Sequence, residues 1–191
     1  HVADPHGAVA MTYEQASARG LVWRRRDGSD LSYGDGVDQH FLASLSTAQV
    51  VAENRERFVR DRLAFRQSAI SERSGARAMM LDRSGNRWGA ERLARLIARQ
   101  GIEVSAIDGS FQACGARFRN GAYLVRFDQP SGRLARTLLE ADTRLPDAFM
   151  EEQESRRARG LDHELYDVTA WSLPLMFDVR ATPCSALPPN A

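Results

Sequence analysis

The segment Ala76-Arg77-Ala78-Met79-Met80-Leu81, running into Asp82-Arg83-Ser84-Gly85-Asn86-Arg87-Trp88-Gly89, sets the architecture of the chain. Its first half is an apolar run of strand length, and its second half is a polar turn containing glycine. From Trp88 to Gln100, Leu93, Leu96 and Ile97 fall on one face of a helix, and Gly101 follows as the residue that stops it. Ile102, Val104 and Ala106 then alternate as a second strand. A strand, a helix and a strand in that order predict a parallel pairing of the two strands, and hence an α/β layer.

Toward the C-terminus, Ala122 to Phe127 reads as a third strand, followed by a helix near Ser131 to Leu139 and another opened by Pro146 at a first-turn position. A last element runs from Leu165 to Leu173 and is ended by Pro174. The tail from Ala181 to Ala191 holds three prolines and reads as a linker with little that could pack.

Toward the N-terminus, the polar segment Ser71 to Gly75 marks a boundary, which divides the chain into residues 1–72, an α/β extension over 76–180 and the Pro-rich linker 181–191. Before it, Phe41, Leu45, Ala48, Ala52, Val59, Leu63 and Ile70 recur at helical spacing, with Asp38 as the N-cap of one long amphipathic helix that has room for a single break. Its mixed-charge residues, Glu53 to Arg62, read as a solvated face. Leu21 to Arg25 and Asp30 to Tyr33 flank Asp27-Gly28, a dipeptide that tolerates positive φ, and predict a β-hairpin. Gly7 to Thr12 reads as a short buried strand that delivers Glu14 at its end.

The chain of 191 residues is 43% hydrophobic with a formal charge of +1, enough for one good core or parts of two domains. Acidic and basic residues are interspersed, which disfavours nucleic acid as a partner. All 26 basic residues are arginine, and this reads as codon bias of a GC-rich source. No apolar run approaches the ~20 residues of a membrane span. Cys114 and Cys184 lack metal-site spacing, leaving a single disulfide or two incidental cysteines.

His1, His6, His40 and His163 form none of the paired patterns that hold zinc, so no metal ligand is assigned within the chain. His40 reads as a capping or packing residue and His163 as solvated. The turn 82–89 could offer backbone N–H groups to a phosphate, but its glycines match neither nucleotide-binding pattern, and such a turn needs glycine and capping residues in any case. Glu14 stands apart. A carboxylate at the end of an apolar strand needs a partner or a task, and on the residues alone a structural salt bridge is the simpler account.

Ala10-Met11-Thr12-Tyr13-Glu14-Gln15-Ala16-Ser17, followed by Arg19-Gly20-Leu21-Val22, resembles the end of the catalytic domain in the zinc carboxypeptidases of the carboxypeptidase A family. The resemblance continues through Arg26-Asp27-Gly28 and through Gly36 to Ser44, which is similar to the last helix of that domain. Trp88-Gly89 and Tyr166 to Pro174 resemble the α/β extension of a bacterial subgroup whose longer members carry an amidotransferase-like region.

The resemblance implies a metallopeptidase that hydrolyses peptide bonds, with zinc as cofactor, a peptide as substrate and export to the periplasm or the exterior. It implies that Glu14 is the general base and acid, taking a proton from the attacking water and passing it to the leaving amine. The zinc ligands of the family lie well upstream of that glutamate, and only thirteen residues precede it here. The expectation is therefore an internal fragment, a remnant of an α/β catalytic domain followed by a small α/β layer, inactive by itself. It would lack the upstream catalytic region and, in longer members, a downstream amidotransferase-like domain. The alternative expectation is a non-catalytic α/β module that binds a ligand or docks a neighbouring domain.

Overall fold

The computed structural model describes residues 7–14, 18, 20–141, 147–164 and 172–187. The chain divides into two compact units, His1–Phe65 and Arg66–Ala191. It contains both helices and sheets, as the α/β expectation requires.

In the first unit, β1 (Val22–Arg24) and β2 (Asp30–Ser32) pair antiparallel with Trp23 opposite Leu31. The Asp27-Gly28 turn forms as its residues dictate: Gly28 takes φ +86°, and the Asp27 carboxylate accepts from the Ser29 N–H at 2.9 Å. The hairpin runs straight into α1 (Tyr33–Glu53).

Ser32, not Asp38, caps α1. Its hydroxyl accepts from the Asp35 N–H at 3.1 Å while the Asp35 carboxylate accepts from the Ser32 N–H at 2.8 Å. This reciprocal capping box satisfies two otherwise orphaned donors, and it starts the helix five residues before Asp38. The helix breaks once, at Asn54, whose side-chain amide donates to the Val50 carbonyl at 2.9 Å. α2 (Arg55–Ser71) resumes immediately. Along all 21 residues of α1 no side chain is buried, and Phe41, Leu42 and Leu45 are each more than half exposed.

The second unit is built on β3 (Ala78–Asp82), whose five residues are all buried. After it come α3 (Arg87–Arg99), β4 (Ser105–Ile107), β5 (Phe111–Ala113), β6 (Ala116–Phe118), β7 (Ala122–Arg126), α4 (Gly132–Leu139), α5 (Asp147–Ala158), α6 (Leu173–Met176) and β8 (Ala181–Cys184). The four-stranded sheet has the order β4-β7-β3-β8, and every pairing in it is antiparallel.

The expected parallel pair does not form. β4 runs in the same direction as β3, as a crossover through α3 demands, but β7 lies between them and pairs with both. Ile102, read from its alternation as a strand residue, instead packs into the core, and only the last part of the segment reaches the sheet.

Period-two alternation along β3 separates two cores. Met79 and Leu81 join Leu93 and Ile97 of α3 and Leu134, Ala135 and Leu139 of α4 on one face. Ala78 and Met80 join Leu124, Phe118 and Cys184 on the other. That second face is covered by the β5–β6 hairpin, a separate two-stranded sheet. A disulfide links Cys114 at its tip to Cys184 in β8, across 70 residues of sequence.

Two tail readings are corrected. Ala181–Cys184 is not part of a linker: it is an edge strand against β3, with the Arg77 N–H donating to the Cys184 carbonyl at 2.6 Å. Its one proline there, Pro183, sits on an edge strand, where a missing N–H does little harm. Pro174 does not end an element but lies in the first turn of α6. Pro146 and residues 165–171, on which two expected elements rest, lie outside the described residues.

Gln129 is the principal buried polar tie of this unit. Its amide accepts from the Glu103 N–H at 2.6 Å and donates to the carbonyls of Glu103 and Arg126. It thus joins the β7–α4 turn to the α3–β4 connection.

The contrast in burial makes a direct prediction. Ile97→Ala, in the closed core, should lower the unfolding free energy by about 2–5 kcal/mol. Leu45→Ala, on the open face of α1, should change it by less than ~0.5 kcal/mol. Urea denaturation of the two variants measures both.

Candidate functional site

Two places hold the residues that the sequence singles out. The first is the C-terminal end of β3, where the chain turns into α3. Asp82 is the last residue of β3 and is almost fully buried. Its carboxylate accepts from the Ser84 N–H at 2.9 Å, and both Nε and Nη2 of Arg180 donate to its other oxygen, Nε at 2.8 Å. Arg180 also donates to the Arg117 carbonyl at 3.0 Å and stands over the Phe118 ring at 5.5 Å.

Asn86 caps α3 by accepting from the Gly89 N–H at 2.9 Å, and its amide donates to the Phe177 carbonyl at 3.0 Å. A Cβ at position 89 would come within 2.5 Å of both the Asn86 amide and that carbonyl, so only glycine permits this approach. Asp82, Gly85, Asn86, Asp178 and Arg180 line an open polar recess of about 540 Å³.

Burial by itself would raise the Asp82 pKa. The Ser84 N–H and hydroxyl and the Arg180 guanidinium more than offset it, so the net value lies below that of an ordinary aspartate. A carboxylate held ionised in this way is a poor general acid or base near neutrality, where a matched pKa is needed. The recess is a neutralised clamp. The turn 82–89 likewise uses its groups internally: Ser84 Oγ accepts from the N–H groups of Arg119 and Asn120, and the Ser84 and Gly89 N–H groups go to Asp82 and Asn86.

The second place is Glu14. The expected buried strand before it is absent. Residues 7–14 contain a single bridge residue at Val9, and Val9, Met11 and Tyr13 are about half exposed. The segment makes a single bridge rather than a ladder, and its apolar side chains stay about half exposed, so it is not a buried strand. The segment is held instead by the Tyr13 hydroxyl, 2.7 Å from Thr47 Oγ1 in α1, and by Gly7, at φ +78°, whose open side faces the Phe65 ring. Val9, Met11, Val50, Phe58 and Phe65 line an apolar groove of about 760 Å³ there. The Glu14 side chain is exposed and makes no hydrogen bond or ion pair among the described residues, so the salt-bridge account finds no partner.

His40 lies well inside α1 and is exposed, since the helix begins at Tyr33. His163 follows α5 in an irregular, exposed segment. His1 and His6 lie outside the described residues, as do Gln15, Ala16, Ser17 and Arg19. Among the described residues no group of three or more His, Cys, Asp or Glu side chains could hold a metal ion, and no helix is long and apolar enough to cross a membrane.

Sequence reasoning missed the Asp82–Arg180 clamp. The two residues are 98 apart in sequence, and only the unexpected pairing of β8 with β3 brings them together. Comparison with protein-family models, with curated proteins and with solved structures gives no match for this chain.

The clamp has a pH signature. Asp82 and Asp128, the latter held low chiefly by hydrogen bonds from Arg126, both have depressed folded pKa values. Their contribution to stability is present above the unfolded value of about 3.9 and is lost as pH falls through the folded values. Urea stability should therefore be level from about pH 5 to 7 and decline below about pH 4. In Arg180→Gln the burial of Asp82 is no longer offset by the guanidinium and its folded pKa moves up toward the unfolded value, so the variant should be less stable near pH 7 and its acid decline shallower. An unchanged acid limb in this variant would remove the clamp from the account.

Proposed function

We propose that the chain is part of a zinc-dependent metallocarboxypeptidase in which Glu14 is the general base and acid of peptide hydrolysis. Residues 66–191 then form a non-catalytic α/β module carried beside the catalytic portion. The observation that carries this reading is the order of the segments resembling that family, from Ala10 through the hairpin to the helix residues Gly36 to Ser44. Two features of the first unit support it. The Glu14 carboxylate is exposed and has no hydrogen-bond or ion-pair partner among the described residues. The face of α1 bearing Phe41, Leu42 and Leu45 is uncovered, as a helix of a larger domain would be when taken without its sheet.

The described residues do not fit a zinc ion, and any ligands of one would lie outside them. What Glu14 would supply is proton transfer to and from a group within hydrogen-bond reach of its carboxylate. Export from the cell belongs to the same proposal and is supported by the Cys114–Cys184 disulfide.

A second reading, a ligand-binding or domain-docking module, is favoured by the closed double core of residues 66–191 and by the polar recess at Asp82 and Arg180. Calorimetric titration with nucleotides and peptides tests it, and absence of heat with either would count against it.

For the enzyme, the test is Glu14→Gln in the full gene product. Peptidase activity should be zinc-dependent, and the variant should lose about 10²–10⁴-fold in kcat with its fold unchanged by circular dichroism. A fully active variant would sink the assignment.

A further inference from the structure

We propose that the Cys114–Cys184 disulfide is a redox-sensitive latch that closes the β5–β6 hairpin over the second face of the sheet. The hairpin has no ladder hydrogen bonds to the four-stranded sheet. Its two strands are three residues each, too short to persist by themselves. Its root rests on a few separate contacts that the bond at the tip keeps in place: Phe118 is buried and stacked on Phe111 with ring centres 5.1 Å apart, the Arg117 carbonyl accepts from Arg180, and the N–H groups of Arg119 and Asn120 go to Ser84. At the tip, the bond that ties the turn to the sheet is the disulfide.

The turn itself shows what the cysteine is for. Cys114 and Gly115 take φ of +53° and +71°, conformations that favour Asn, Asp or Gly at the first position. A cysteine there is disfavoured by the backbone, and it is placed so that its sulfur reaches Cys184.

The two cysteines are unequally buried. Cys184 is fully buried in the second core, whereas Cys114 is partly exposed and lines a shallow recess with Gln112, Gly115 and Arg117. A small dithiol reductant therefore reaches Cys114 first. Its thiolate attacks Cys114 Sγ, the S–S bond breaks, and Cys184 leaves as a thiolate that takes up a proton. The second thiolate of the reductant then displaces Cys114, which is protonated in turn, and the reductant leaves as its own disulfide. Two electrons and two protons pass to the protein.

With the tip free, the hairpin can lift from Ala78, Met80 and Leu124. Arg180 then loses the Arg117 carbonyl and the Phe118 ring, so the redox state is transmitted to the Asp82 clamp. The latch would close in an oxidising compartment and open in a reducing one. It does not depend on the peptidase reading.

The test is limited trypsin digestion of the chain under native conditions, before and after treatment with dithiothreitol, with cleavage sites identified by mass spectrometry. Cleavage after Arg117 and Arg119 should rise about tenfold or more on reduction, since proteolysis follows the population of the open form. Sites in α3, at Arg92 and Arg95, should be unchanged. Cys114→Ser should match the reduced protein without reductant, and Cys184→Ala gives the same comparison from the buried side. Three results would overturn the latch: no free thiols after native reduction, hairpin sites that stay resistant in reduced protein and variants alike, or α3 sites opening together with the hairpin.

Discussion

Strand β3 is buried on both faces and hydrogen-bonded along both edges, and the second unit is arranged to meet those four demands. Five consecutive residues cannot leave backbone donors and acceptors unpaired at that depth without a penalty at each group. β7 and β8 supply the edge partners. The helix layer covers Met79 and Leu81, and the hairpin covers Ala78 and Met80. Side-chain ties fix the connections between these layers. Gln129 joins two turns, Asn86 joins α3 to the end of α6, and the disulfide closes a 70-residue separation, worth about 4 kcal/mol in the chain-entropy model.

The end of β3 presents the opposite problem. A strand that enters a closed core as Ala-Met-Met-Leu leaves it with Asp82, and a carboxylate at that depth must be neutralised. Arg180 reaches it from the residue just before β8, so the edge strand and the ion pair arrive together. Because the arginine is half exposed, its attraction is partly screened by solvent, and the Ser84 N–H shares the task. The same guanidinium touches the root of the hairpin. One side chain therefore couples the strand end, the edge strand and the cover.

What the sequence revealed follows from which signals are local. Asp27-Gly28 between two short β-prone runs is sufficient for a hairpin, and Gly101 after an amphipathic stretch is sufficient for a helix end; both are present as read. The break at Asn54 is local too. The capping box of Ser32 and Asp35 was equally visible, but the apolar spacing drew the helix start to Asp38 instead. Pairing partners are not local. Nothing between Ala76 and Ala106 states that β7 will be inserted, and the proline-bearing tail concealed an edge strand whose fitness depends on a neighbour about a hundred residues earlier. The β5–β6 hairpin escaped notice because a cysteine occupies a turn position where Asn or Asp would have announced it.

Glu14 shows the same limit from the other side. Burial is what would make this carboxylate special, since an apolar strand that delivers a charge into a core must give it a partner or a use. In the structure that premise is gone: the segment is not a strand, and the carboxylate lies in the open. Exposure removes the energetic objection to an unpaired charge, and it also removes the physical argument for function. What is left for catalysis is the order of resembling segments and the uncovered helix beside it. Those two observations bear on each other. A helix with Phe41, Leu42 and Leu45 in water is a poor element by itself, and a sheet that covered that face would change the surroundings of residues 7–14 as well, through the Tyr13–Thr47 contact that joins them. On the peptidase proposal, a neighbour that covered α1 would also set the surroundings of Glu14 and could supply the edge that a strand at residues 7–12 needs.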